Sequence, residues 1–226
     1  MSDDAAPAPR RWLLVVVTCL AIAGLAFAIG RFSTFGAGAA TAAPSGTSAE
    51  AGFARDMQVH HSQAIDMAMQ TYRKTDDDQL RILAYDIATG QAGQRGEMFD
   101  WLVQWGLPQS GGPMMAWMTA SDSGHEHGGA ASGEAMTDEQ AHEAMGMATD
   151  AELAALAAST GIEADCMFLD LMIRHHEGAI PMADAVLELG SEPRVLGVAQ
   201  RMKEGQTAEI AAMQSMQSRL GCGSLG

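Results

Sequence analysis

The sequence has few basic residues, few strand-forming runs and little aromatic content. Only 13 Lys and Arg stand against 28 Asp and Glu, which gives a formal net charge of −15. A chain this acidic is not suited to neutralising phosphates, so we expect no nucleic-acid partner. Runs of β-branched residues are missing outside residues 12–30, and Ala, Met, Leu, Glu and Gln dominate instead. This composition favours an all-α domain.

Methionine takes the place of the scarce aromatic residues. The chain has 17 Met against 6 Phe, 4 Trp and 2 Tyr. Because methionine fills irregular gaps in cores, any single one is more simply interpreted as a core residue than as a ligand.

One segment of the chain occurs twice. FARDMQVHHSQAIDMA at 53–68 returns as FLDLMIRHHEGAIPMA at 168–183, at a constant offset of 115 residues. The same offset relates Gly90-Gln91 to Gly205-Gln206, so each copy is long enough for two helices joined by a turn. A single helical hairpin cannot bury its apolar stripe, so two copies predict an antiparallel four-helix bundle.

The repeat, the apolar run and one Gly/Ser-rich stretch divide the chain into seven parts. These are a cytoplasmic N-terminus 1–11, a transmembrane anchor or signal segment 12–30, a linker 31–49, the first hairpin 50–106, a flexible Gly/Met/His loop 107–136, short connecting helices 137–161, and the second hairpin 162–221.

The N-terminal apolar run predicts the compartment. Arg10 and Arg11 precede an 18-residue apolar segment, which favours a cytoplasmic N-terminus with the remainder outside. Small residues at 37–42 could form a signal-peptidase site, so a cleaved signal peptide and a retained single-pass anchor both stay open. In either case we expect the domain to be extracytoplasmic, at the membrane or secreted.

Two cysteines follow the repeat. Cys166 begins the third predicted bundle helix and Cys222 follows the last, and these two ends meet in an antiparallel hairpin. The sequence therefore predicts a disulfide, suited to an oxidising compartment, although a metal-binding pair is an alternative.

The doubled motif contains the candidate metal ligands. Met57 lies one helical turn before His60 and His61, and Met172 stands in the same relation to His175 and His176. Histidines beside a core stripe can also be structural hydrogen-bonding residues, and both interpretations stay open. Repetition on two helices strengthens the case for ligation until it equals the structural interpretation.

The donor types favour copper. Thioethers suit Cu(I), and imidazole accepts Cu(I), Cu(II) or Zn(II), whereas neither repeat contains the Glu-x-x-His of di-iron bundles. A secondary site could form in the Gly-rich loop, since that loop holds Met114, Met115, Met118, His125 and His127; a solvated linker is the alternative.

The doubled His-His signature, GQTAEIAAM at 205–213 and MATDAELAALAASTG at 147–161 resemble the bacterial family of domains of unknown function DUF305. The resemblance implies a ferritin-like four-helix fold, export or membrane anchoring and, for some members, an association with copper. The family motif falls on Met57, His60, His61, Met172, His175 and His176. The first copy departs from the second where Gln94 replaces Glu209, so a ligand role for Glu209 has no equivalent there.

Three function classes follow. The first is a copper-binding sequestration or delivery protein that exchanges metal with a trafficking partner or another copy of itself. The second is a structural or protein-interaction helical module of the cell envelope. The third, a metal-dependent oxidase, lacks a general base in the sequence, so we expect no enzymatic activity.

Overall fold

The computed structural model describes residues 9–34, 43–120 and 136–223. The regular secondary structure of these residues is entirely helical, with no strand among them, and the all-α prediction is confirmed. The elements are α1 (Pro9–Thr34), α2 (Ala49–Lys74), α3 (Asp78–Gln104), a 3-10 helix (Ala116–Ala120), α4 (Asp138–Ala144), α5 (Asp150–Ala158), α6 (Gly161–Leu189) and α7 (Pro193–Leu220). Helix α1 belongs to one compact unit, and the elements from α2 onward form a second.

Helix α1 contains the predicted anchor or signal segment 12–30. The side chains of Trp12, Leu20 and Phe27 are exposed. Among the residues that the structure describes, no helix is both long and apolar enough to cross a bilayer.

The second unit is built from two helical hairpins. Helix α2 pairs with α3, α6 pairs with α7, and α2 and α6 pack against each other. Asp77 caps the N-terminus of α3, because its side chain accepts the Leu80 N–H at 2.8 Å. Pro193 occupies the first turn of α7. Arg219 joins the two hairpins through an ion pair with Asp77 at 2.6 Å.

Methionine and alanine form much of the core of these hairpins. Met57 and Met172, together with the repeat-related pair Met98 and Met213, are fully buried. Methionine is compact and flexible enough to fill the space between closely spaced helices, which explains how a chain with few aromatic residues builds its core.

Cys166 and Cys222 form the predicted disulfide, with their Cα atoms 5.4 Å apart. Cys166 lies in the first turns of α6 and Cys222 follows the end of α7. The bridge therefore closes the open end of the second hairpin.

Candidate metal centre

The four repeated histidines lie in the interior, where α2 and α6 meet. None of their side chains is accessible to solvent. The imidazoles of His60 and His175 stack with ring centroids 3.6 Å apart and planes inclined by 29°. The ring centroids of His61 and His176 lie 6.2 and 6.3 Å from those of His60 and His175, respectively. The repeat thus brings both motifs together at one place.

Each histidine uses its Nε2 atom in a hydrogen bond to an oxygen. His60 Nε2 lies 3.0 Å from the Met145 carbonyl oxygen, and His175 Nε2 lies 3.1 Å from the carbonyl oxygen of His60. Since a carbonyl oxygen can only accept, these two imidazoles must donate from Nε2.

The outer two histidines are held by equivalent residues of α3 and α7. His61 Nε2 donates to Gln94 Oε1 at 2.8 Å, and His176 Nε2 donates to a carboxylate oxygen of Glu209 at 2.6 Å. Gln94 and Glu209 occupy the same repeat position, so each hairpin clamps its own outer histidine from its second helix. The difference between them makes one clamp neutral and the other anionic.

The Nδ1 atoms of all four histidines are buried and have no hydrogen-bond partner among the described residues. With the proton on Nε2, a neutral imidazole carries a lone pair on Nδ1. A buried acceptor without a partner costs about 1–3 kcal/mol of folding free energy. The site therefore contains four buried ring nitrogens for which the described residues provide no hydrogen-bond partner.

Burial keeps three of these imidazoles neutral. Desolvation, reinforced by neighbouring histidines, lowers the pKa of His60 to about 3, and desolvation lowers the pKa of His61 to about 4. Desolvation also holds the pKa of His175 well below its usual range. At neutral pH these three side chains are uncharged and able to donate electron pairs.

The candidate donor atoms do not converge on one point. Within the described residues, no group of three or more His, Cys, Asp or Glu side chains is arranged to hold a metal ion. Met57 and Met172 are fully buried one turn before their histidine pairs, in two separate apolar clusters. The donor chemistry therefore fits a soft metal, while coordination by several histidines at once requires their rings to rotate.

The connection between α4 and α5 supplies the oxygen that holds His60. Gly146 and Gly178 allow this connection to lie directly on α6, because a Cβ added at either position would overlap backbone atoms of the other segment. Gln63 fixes the same connection to α2, with its amide bonding the carbonyl and N–H of Ala148 at 2.9 and 2.6 Å. Sequence reasoning did not identify these residues. The one available signal was the replacement of Gln63 by Gly178 at the equivalent position.

Replacing Gly178 by alanine should displace this connection and remove the Met145 oxygen from His60. We expect the free energy of unfolding to fall by about 1–3 kcal/mol, as for other overpacked interiors. The matched control is Gly93→Ala on α3, where no atom lies within 4 Å of the added Cβ. Urea denaturation should show that the control is as stable as the parent or up to about 1 kcal/mol more stable; equal stability of both variants would contradict the close contact.

The segment that contains Met114, Met115 and Met118 is anchored to α2. Asp56 accepts hydrogen bonds from the Met115 N–H at 2.7 Å and from Trp117 Nε1 at 2.8 Å. The Trp117 ring lies directly over Gly52, and Met115 is itself buried. Residues 107–118, within the predicted flexible loop, thus include apolar side chains that pack against the helices.

The predicted secondary metal site is only partly described. Met114 and Met118 pack against the same apolar cluster that contains Met115. His125 and His127 lie outside the described residues. A site joining these methionines and histidines remains a prediction.

Comparison with known families gives a match over most of the chain. The model of the family described as "Domain of unknown function (DUF305)" matches residues 50–217. This range contains nearly all of both hairpins and all four repeated histidines. No curated protein matches the chain.

Solved structures share the fold. A DUF305 protein from Streptomyces coelicolor, described as a candidate secreted protein, is 37% identical over 79% of this chain and 97% of its own, with a TM-score of 0.67. A DUF305 fragment from Deinococcus radiodurans is 30% identical over 76% and 96%, with a TM-score of 0.60. The protein CopM in its Cu(I)-bound form is 25% identical over 74% and 94%, with a TM-score of 0.53.

Proposed function

The chain belongs to the DUF305 family, and we propose that it is an extracytoplasmic copper-binding protein that sequesters or delivers the metal without enzymatic turnover. The metal would bind at the four buried histidines, His60, His61, His175 and His176, with Met57 and Met172 as thioether donors. The exchange partner would be a copper-trafficking protein or a second copy of this chain.

The observation that carries this proposal is the state of the four imidazoles. Each uses Nε2 in a hydrogen bond to an oxygen, and each leaves Nδ1 buried without a partner. Histidines that bind metals almost always donate their second ring N–H to a carbonyl or carboxylate in this way, which fixes the tautomer and orients the ring. A core built only for packing has no need of four buried ring nitrogens without a hydrogen-bond partner.

The charges and donor types favour monovalent copper. Imidazole and thioether are ligands that Cu(I) accepts readily. The Glu209 carboxylate, bonded to His176, would compensate the single positive charge of Cu(I) in the interior. On the first hairpin the neutral Gln94 adds no second negative charge.

Related proteins support the same chemistry. CopM, whose structure resembles this one, has been solved with Cu(I) and with Cu(II) bound. The Streptomyces coelicolor relative is described as a candidate secreted protein, which supports the extracytoplasmic location. The apolar segment 12–30 would act as the signal or membrane anchor, and the four long helices would form a ferritin-like antiparallel bundle.

An anaerobic Cu(I) competition titration against a coloured chelator tests the proposal. We expect the parent chain to remove Cu(I) from the chelator, and the double variant Met57→Leu, Met172→Leu to bind at least about tenfold more weakly. The matched control is Met98→Leu, Met213→Leu, which changes two equally buried, repeat-related methionines that are not among the proposed ligands and should bind like the parent. Failure of the parent to compete would refute the copper function.

One observation favours a second candidate, a structural or interaction module. His60 and His175 stack instead of converging on a shared point, and in the described residues no ready-made cluster of three His, Cys, Asp or Glu ligands exists. On this alternative the histidines only join α2 to α6. It predicts that the parent binds no tight Cu(I) and that histidine substitutions lower stability alone.

A further inference from the structure

A small crevice lies between α3 and α7, with a volume of about 60 Å³. The two hairpins contribute equivalent residues to it at the repeat offset. Gly90 and Gly205 are exposed, Gln91 and Gln206 are buried, and Gln94 and Glu209 are half-buried. The crevice therefore lies on the pseudo-symmetry axis of the repeat.

The buried glutamines of the crevice have unsatisfied amide groups. Gln91 and Gln206 are each 4% exposed, and both side-chain polar atoms of each lack a hydrogen-bond partner among the described residues. A buried amide without a partner is unfavourable by about 1–3 kcal/mol. Two such amides lining the same small cavity indicate that it binds water or ions, and its volume is sufficient for a few water molecules.

One hydrogen bond on each hairpin joins a residue of the crevice to a buried histidine. Gln94 and Glu209, which line it, are the residues that hold His61 and His176. The Glu209 side chain is 31% exposed, whereas the side chain of His176 is inaccessible. Solvent and the interior of the candidate metal centre are thus separated by one side chain on each hairpin.

The glycines of the crevice have no packing role that the structure reveals. A glycine inside a helix is unfavourable by roughly 0.5–1 kcal/mol relative to alanine. No atom lies within 4 Å of a Cβ added at Gly90 or Gly205, so close helix packing does not require either one. Their shared effect is to leave the mouth of the crevice open in both hairpins.

We propose that this crevice is the passage through which copper enters and leaves the histidine centre, an inference that rests on the copper function proposed above. The amide oxygens of Gln91 and Gln206 would replace part of the hydration shell of the ion, and the Glu209 carboxylate would attract it. Asp86 and Arg201, the remaining charged residues of the lining, offset each other in formal charge. Glu209 therefore leaves the crevice with a net negative charge.

Filling the mouth of the crevice tests the passage. The plugged variant is Gly90→Leu, Gly205→Leu. The control is Gly93→Leu, Gly96→Leu, which adds the same bulk at exposed α3 glycines that do not line the crevice and also have no atom within 4 Å of an added Cβ. Stopped-flow transfer of Cu(I) from a coloured chelator to the full chain, and the reverse transfer, give the two rates.

We expect the plug to slow uptake and release by at least about tenfold each, while the equilibrium affinity stays within about twofold of the parent. A barrier on a passage changes both rates equally, whereas loss of a ligand changes affinity. The control should keep the parental rates. Unchanged rates in the plugged variant, or a lowered affinity with unchanged uptake, would overturn the passage.

A measurement without metal separates this inference from the copper function. In the apo chain, NMR should show that the plug slows solvent exchange of the His61 and His176 Nε2 protons, and that the control does not. If the parent binds no Cu(I) but the plug slows exchange, the copper function fails and the crevice is a water channel only. If the parent binds Cu(I) and the plug alters neither exchange nor transfer, the function stands and the passage fails.

Discussion

Replacing His60, His61, His175 and His176 together by glutamine should lower the affinity for Cu(I) by at least about 100-fold. Changing a residue that only orients a ligand already weakens metal binding by about 10–100-fold, and here the ligands themselves are removed. Glutamine keeps an amide donor that can reach the oxygens now bonded to Nε2, while it eliminates the imidazole nitrogen. Competition titration against a chelator of known affinity measures the loss.

Two controls make this result interpretable. His142→Gln changes a histidine of α4 that is not one of the repeated pairs, and this variant should bind Cu(I) like the parent. Circular dichroism of the four-glutamine variant should retain the parental helical content, because Gln is a good helix former. A folded four-glutamine variant that binds Cu(I) as tightly as the parent would show that copper binds elsewhere.

The second large effect is loss of stability between pH 7.5 and pH 5.5. The folded-state pKa values of His60 and His61 are about 3 and about 4, and that of His175 is well below its usual range. In the unfolded chain histidine titrates near 6.5, so on acidification the unfolded state binds protons that the folded state excludes. Stability therefore falls as the pH drops below about 6.5, and continues to fall until the folded pKa is reached.

The expected size follows from linkage. Each excluded proton costs about 1.4 kcal/mol per pH unit below the unfolded pKa, so three histidines give about 4 kcal/mol at pH 5.5. This is a large fraction of the stability of an ordinary domain, about 5–15 kcal/mol. Urea denaturation of the metal-free chain at the two pH values measures it.

The four-glutamine variant is the control for the acid effect, since it should lose most of the pH dependence. The buried carboxylates affect stability in a different pH range or with the opposite sign. Burial disfavours the ionised Glu50, but the hydrogen bonds that it accepts from the backbone N–H groups of Ser191 and Glu192 outweigh burial and lower its pKa, so its contribution is lost only below about pH 4.5. Burial raises the pKa of Asp56 and Asp165, which favours the folded state on acidification. Equal stability of the parent at pH 7.5 and 5.5 would contradict neutral, buried histidines.

The repeat made the main architecture predictable. Two copies of one motif, each followed by a turn sequence, indicated an all-α domain in which His60 and His175 occupy equivalent positions on packed helices. Helical periodicity could place the histidines beside the apolar stripe. It could not show that their rings stack, because that contact depends on how closely α2 approaches α6.

Local sequence patterns could not predict the residues that complete the centre. Met145 contributes only a backbone oxygen, which leaves no signature in the sequence. The anchoring of Met115 by Asp56 joins residues 59 positions apart and has no counterpart in the other repeat. The glutamines of the crevice lie within the recognised repeat, yet their lack of partners is evident only in three dimensions.

The most direct test of the account is nitrogen NMR of the histidine rings in the metal-free chain and after anaerobic addition of Cu(I). We expect all four rings to carry their proton on Nε2 without metal. On addition of Cu(I), the Nδ1 resonances should shift while the Nε2 protons remain. Rings protonated at Nδ1 in the metal-free chain, or Nδ1 resonances unaffected by tightly bound Cu(I), would contradict a copper centre formed by these histidines.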